Sequence, residues 1–153
     1  MAEQVLLFNR QPDRPLTFDE YRQLGGYEAL TTALKQKPEE LRQTVLTAGL
    51  RGRGGAGFPT GKKWSFIGEG KPRYLIPNTD EMEPGTFKDR VLVNVNPHLV
   101  LEGIIVSAYA VSASKGIFFI RPSYEMDAEL IERELQVARE AGFIGDNILG
   151  SDF

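Results

Sequence analysis

Residues 49–66 read GLRGRGGAGFPTGKKWSF, with six glycines, two arginines, two lysines and three aromatic rings in eighteen positions. Where side chains are missing, consecutive backbone N–H groups can converge on an anion. Lys62 or Lys63 would add a point charge to the same phosphate. Phe58, Trp64 and Phe66 set flat apolar faces beside that charge. These residue types suit a ligand that is anionic at one end and planar at the other. The competing reading, tight turns with solvated cations, leaves the three rings unexplained.

Two familiar phosphate motifs come close and fail. Gly52, Gly54 and Gly57 satisfy G-x-G-x-x-G, and Asp80 lies about where a dinucleotide fold places its ribose acid. That fingerprint needs a strand directly before the first glycine, whereas PEELRQTVLTAG, residues 38–49, patterns as a helix. A P-loop frame over residues 56–63 has Ala56 for its first glycine and Lys63 for its closing hydroxyl residue. Magnesium would lose a ligand there.

A second stretch, YLIPNTDEMEPGTFKDR at residues 74–90, places Asn78, Asp80, Glu81 and Glu83 just past a strand end. Ligands of open α/β sheets gather there. Carboxylates repel phosphate but accept hydrogen bonds from ribose hydroxyls or from the N–H edge of a heterocycle, and Asn78 can both donate and accept. A capped, solvated acidic loop is the plain alternative.

The elements that must position these groups follow from periodicity and caps. Thr17 and Glu20 form a capping-box pair opening a short helix over 18–24, stopped at Gly25-Gly26. A second helical segment covers 27–35. Pro38 suits the first position of a third, with Glu39 and Glu40 in its first turn and Gly49 after its end. Strands are expected at 73–76 and 117–120. A helix over 99–113 is apolar nearly all round, with Lys115-Gly116 breaking it. An amphipathic helix runs over 127–141. Strand, helix, strand, helix predicts an α/β fold with a parallel sheet: N-terminal helices, then a partial, Rossmann-like sheet flanked by helices. Two parallel strands need neighbours and cover. The expectation is therefore a fold truncated at the C-terminus, or one completed by another polypeptide.

The chain has 153 residues, a net charge of −3, no cysteine and one histidine. Its balance gives no whole-molecule attraction to nucleic acid. Cysteine-held iron–sulfur clusters and Cys/His zinc sites are excluded for this sequence. The opening MAEQVLLFNRQPDRP lacks the features of a secretory leader. The longest apolar run, 99–113, is shorter than the roughly 20 residues of a spanning helix and contains Glu102. A soluble, intracellular protein without direct membrane insertion is expected. His98, after Pro97, is expected to cap or pack. Arg121 and Tyr124 fall at the ligand end of the second strand.

Taken together, GLRGRGGAGFPTGKKWSF and NTDEMEPGTFKDR, followed in order by PHLVLEGIIVSAYA and GDNILGSDF, resemble the flavin- and NADH-binding subunit of respiratory NADH:quinone oxidoreductase, complex I. They resemble equally the diaphorase subunits of NAD-linked hydrogenases and formate dehydrogenases. The resemblance runs from about residue 21 onward. It implies FMN and NAD(H) as cofactors, with Gly52, Arg53, Gly54, Gly55 and Lys63 around the flavin phosphate and ribityl chain. Asn78 and Asp80 would be polar partners near the flavin. Phe58 and Phe66 would receive the NADH adenine, and Glu83 its ribose hydroxyls. No side chain is implied as catalytic, because hydride passes between cofactors. The family's [4Fe–4S] cluster would not be ligated by this chain.

Further implications are an N-terminal extension at 1–36, a partial FMN/NADH-binding domain at 37–153, and weak or no flavin binding by this stretch alone. Partners would be the other subunits of a multi-subunit oxidoreductase, including an iron–sulfur subunit, held peripherally on the cytoplasmic face of a membrane. The alternative is a truncated, non-catalytic assembly or nucleotide-sensing subunit. Pro77, Thr79 and Pro122-Ser123 depart from the family's usual cysteine, alanine and glycine-glutamate.

Overall fold

The computed structural model describes residues 14–153; residues 1–13, and with them most of the opening stretch read for a leader, lie outside the described residues. Seven helices surround a short parallel ribbon: α1 (Phe18–Gln23), α2 (Glu28–Ala33), α3 (Pro38–Thr47), α4 (Thr60–Trp64), β1 (Tyr74–Leu75), β2 (Asn78–Thr79), α5 (Lys88–Val95), α6 (Pro97–Ala110), β3 (Lys115–Gly116), β4 (Phe119–Ile120) and α7 (Glu125–Glu140). A 3-10 turn, Ile148–Gly150, follows.

Helix α6 is the hub, touching α1, α2, α3, α5, α7, β1 and β3. Its composition requires this, since a helix apolar on all sides must be covered on all sides. It starts two residues earlier than periodicity predicts. Asn96 supplies the cap, its Oδ1 accepting from Leu99 N–H at 3.0 Å, and Pro97 takes the first turn, where its missing N–H costs nothing. It also ends three residues early. Ser112 turns through a positive φ of 51°, and the chain enters β3 at Lys115, the pair expected to be a break.

The ribbon is parallel, as expected for an α/β chain. Tyr74 lies opposite Lys115 and Asn78 opposite Phe119, an offset of 41 residues in both pairs, so the four strands form one continuous register. Pro77 interrupts it because proline has no N–H to donate. Its carbonyl still accepts from Phe119 N–H at 3.0 Å. One face of the ribbon turns inward, where Phe118 packs against Val93, Leu130 and Ile131. On the other face Tyr74, Ile76, Ile117 and Phe119 are exposed.

The main core joins Tyr21, Tyr27 and Leu30 to Leu101, Ile105, Ala138, Phe143 and Ile148. Glu102 sits among them, 6% exposed. Its carboxylate accepts from the Tyr21 hydroxyl, from Tyr27 N–H at 2.9 Å and from Leu30 N–H at 2.9 Å. It therefore caps α2, which begins after Tyr27 in a left-handed conformation with φ of 65° and no side-chain cap of its own. The Thr17–Glu20 capping box on α1 is formed as expected, and Arg14 beside it holds the Glu20 carboxyl down to about 2.

His98 is fully buried and packs; Asn96 does the capping. Its Nδ1 accepts from the Tyr27 hydroxyl at 2.9 Å and its Nε2–H donates to Glu134 at 3.0 Å, a pairing that suits the neutral ring. Burial pushes the imidazole below its ordinary value, although Glu134 pulls the other way. No single helix among the described residues is long and apolar enough to cross a membrane. Helices α5 and α6 reach that length and apolarity only together, bent by 107°.

Two outcomes are expected. Glu102→Ala strands two N–H groups and a phenol in the core and should lower unfolding free energy by about 3 kcal/mol or more in urea titrations. The unfolded chain protonates His98 near pH 6.5 and the folded chain only at lower pH, so stability should decline as pH falls through about 6.5. Urea midpoints at pH 7.5 and 5.5 should differ more in the native chain than in His98→Gln.

Candidate functional site

The segment leading into the glycine loop is α3, so no strand precedes Gly52 and the ordinary dinucleotide fingerprint is absent. The loop is a hairpin. Thr60 N–H donates to the Leu50 carbonyl at 2.8 Å, Gly52 N–H donates to the Phe58 carbonyl at 2.9 Å, and Arg51 pairs with Pro59. Beyond this neck residues 53–56 are exposed. Gly55 and Gly57 are left-handed, with φ of 108° and 60°, which explains their lack of a side chain. Gly54 has neither a positive φ nor any neighbour within 4 Å of where a Cβ would stand, and at Gly52 the nearest atom would be at an ordinary 3.6 Å. Nothing within the fold demands glycine at these two positions, which fits close approach by a ligand.

Arg53 and Lys63 are exposed, and neither takes part in any ion pair among the described residues. Phe58 and Phe66 flank α4 and come together, ring centroids 6.2 Å apart at 48°, while remaining 43% and 67% exposed. An exposed aromatic pair next to uncommitted cations can stack a base and hold its phosphates. Trp64, the third ring of the stretch, turns inward against Ala33, Leu41 and Ala110. Gly61 lets this happen: a Cβ there would stand 2.5 Å from the Leu46 backbone, so α4 lies directly on α3.

The acidic segment is built differently. The Asn78 side chain accepts from Asp80 N–H at 3.0 Å. Asp80 is half-buried and Glu83 exposed. Glu81 is buried, its carboxylate accepting from Asp89 N–H at 2.8 Å and Arg90 N–H at 3.2 Å, its carbonyl accepting from Arg121. Sequence patterning misses this cap. The available signal is Phe87, a residue unable to cap the helix that starts after it. Arg121 thus grips the acidic segment, while Arg90 lies 5.3 Å over the Tyr124 ring.

The structure brings together Phe58 and Phe66 across the glycine loop and α4, and separately Asn78 and Asp80; no hydrogen bond or ion pair among the described residues joins Glu83 to either. No hydrogen bond, ion pair or ring contact among the described residues joins the two groups. A cleft of about 610 Å³ lies between α6, α7 and the C-terminal residues beside β3, and none of the expected site residues lines it.

A family model described as the Nuo51 FMN-binding domain matches residues 45–149. The chain belongs to that family. The matched Nuo51 FMN-binding segment holds the glycine loop, the ribbon and helices α4 to α7, while α1 and α2 precede it and share its core. Over 150 residues the chain is 48% identical to an NADH-quinone oxidoreductase subunit of Aquifex aeolicus, covering 97% of this chain and 35% of that protein. With the corresponding NADH-quinone oxidoreductase subunit of Escherichia coli it shares 46% over 148 residues, 94% of this chain and 33% of the relative. It also resembles a crystal structure of NAD+-reducing [NiFe]-hydrogenase in the H2-reduced state, with a TM-score of 0.71 and 38% identity over 84% of this chain and 23% of the other. The chain thus spans about a third of the length of the two NADH-quinone oxidoreductase relatives.

Gly61→Ala should push α4 off α3, costing about 1–3 kcal/mol as overpacking does. Trp64 is the sole tryptophan, so a red shift of its emission, against an unshifted Gly68→Ala control, checks this directly.

Proposed function

We propose that this chain is part of a flavoprotein that oxidises NADH. FMN bound here would accept a hydride, two electrons and a proton, from the nicotinamide, leaving NAD+, and would release the electrons singly toward iron–sulfur clusters in other segments and subunits and on to quinone. The observation that carries this is a pair of exposed rings on the stretch that also carries an exposed arginine and lysine, neither in an ion pair among the described residues, and two glycines that the fold itself does not explain. Membership of the Nuo51 FMN-binding family and the names of the relatives support it.

In this arrangement the amides of Gly52, Gly54 and Gly55, with Arg53 and Lys63, hold the flavin phosphate and ribityl chain. Asn78 and Asp80 orient polar groups of the flavin. Phe58 and Phe66 stack the adenine of NADH, and Glu83 accepts from its ribose hydroxyls. No side chain transfers the hydride; these residues bind and align two cofactors, which is where the rate comes from. Residues 37–153 form the nucleotide-binding unit, and the helices before residue 37 serve as its extension. Partners are the remaining subunits of an oxidoreductase, an iron–sulfur subunit among them, placing this chain peripherally on the cytoplasmic face of a membrane. The hydrogenase likeness favours a second acceptor, since a diaphorase would use the same site with a different electron partner.

In the assembled oxidoreductase NADH should bleach flavin absorbance, and a complex that takes up no flavin would sink the proposal. Arg53→Ala and Lys63→Ala should each weaken flavin retention about tenfold. Phe58→Ala and Phe66→Ala should raise KM for NADH roughly five- to tenfold, the scale of one lost stacking contact, with kcat nearly unchanged.

A further inference from the structure

Three acidic side chains follow β2 within six residues, yet the fold treats one of them differently. Glu81 is 5% exposed and both its ends are engaged, whereas Asp80 is half-buried and Glu83 faces solvent. Its carboxylate occupies the N-terminal N–H groups of α5, at Asp89 and Arg90. Those donors have no other side-chain partner, because Phe87 precedes the helix and cannot cap it. Its carbonyl is taken by the guanidinium of Arg121, just past β4. One residue therefore ties the loop between β2 and α5 to the helix on one side and to the neighbouring strand on the other.

We propose that Glu81 is a positioning residue for nucleotide binding: by capping α5 and anchoring to Arg121, it fixes the segment so that Asp80 and Glu83 point their free carboxylates at the ligand. This rests on the function proposed above and deepens it. A flexible loop would have to be ordered each time the nucleotide bound, and that conformational cost would be subtracted from affinity. Here the ordering is already done by three hydrogen bonds to a residue that is itself turned away from solvent. Each carboxylate oxygen already accepts from a backbone amide of α5 and the side chain is buried, which turns it away from a ribose hydroxyl and separates its role from that of the exposed Glu83.

The assembled oxidoreductase carrying Glu81→Ala tests this, with Glu81→Gln as a milder variant that keeps one acceptor oxygen. Amide exchange at Asp89 and Arg90 should accelerate, and KM for NADH should rise roughly tenfold in the alanine variant, the scale of a lost helix cap, and less in the glutamine one, with kcat within about twofold. The double variant Glu81→Ala with Phe87→Asp provides a cap from the helix's own chain and should recover both slow exchange and low KM. If the double variant recovers slow exchange while KM stays high, Glu81 contacts the nucleotide itself and the positioning role is overturned. Unchanged exchange and unchanged KM in Glu81→Ala overturn it as well. Failure of the underlying function is distinguishable, since it appears in the unsubstituted complex as flavin that NADH does not bleach, while the exchange measurement still reports the cap.

Discussion

A carboxylate buried in the middle of an apolar helix organises this chain. Glu102 leaves water at a cost of several kcal/mol, which only a full set of donors can offset. Two backbone N–H groups and a phenol supply them. Because those donors belong to α1 and to the start of α2, the interaction dictates how the N-terminal helices lie on α6. The other end of α6 is held by arginines from elsewhere: Arg42 donates to the Ala110 carbonyl at 2.6 Å and Arg73 to the Val111 carbonyl at 3.1 Å. Cations at a helix C-terminus also meet its dipole favourably. Arg42 belongs to α3, which leads into the glycine loop, and Arg73 leads into β1 and on to β2, after which the acidic segment follows. Both halves of the candidate site are thus referenced to one helix.

The two halves differ in what fixes them. The glycine loop is free at its tip and fixed at its base, where α4 lies so close on α3 that only glycine fits at position 61. The acidic segment is fixed along its length by Glu81, Arg121 and the Asn78 turn. Under the proposed roles this is a sensible division, since phosphate attraction is strong and forgiving of direction, while hydroxyl recognition depends on hydrogen-bond angles.

Much of this is legible in residue order. The capping box at Thr17, the proline start of α3, the apolar hub and the two parallel strands each follow from local chemistry. The family is legible too, through long motifs instead of a three-glycine pattern. What escapes is set by partners distant in sequence. Glu102 reads as a flaw in an apolar run because its donors lie more than seventy residues away. Lys115-Gly116 reads as a break because its role is to lie opposite Tyr74 and Leu75. Trp64 sits in sequence between the exposed rings of Phe58 and Phe66, yet the short helix that carries it turns it inward. Glu81 is one acid among several until the helix it caps is in view.

The outward face of the ribbon has a consequence for how the polypeptide must be handled. Parallel strands normally have both faces shielded, and Tyr74, Ile76, Ile117 and Phe119 form an unshielded greasy strip along this one. Until something is laid over that strip, it is a sticking point, the kind of surface that chaperones recognise and that drives precipitation at high concentration. Attempts to produce this stretch by itself should expect inclusion bodies, and replacing Ile76 and Ile117 with threonine is the gentlest remedy because a branched side chain suited to strands is kept at each position.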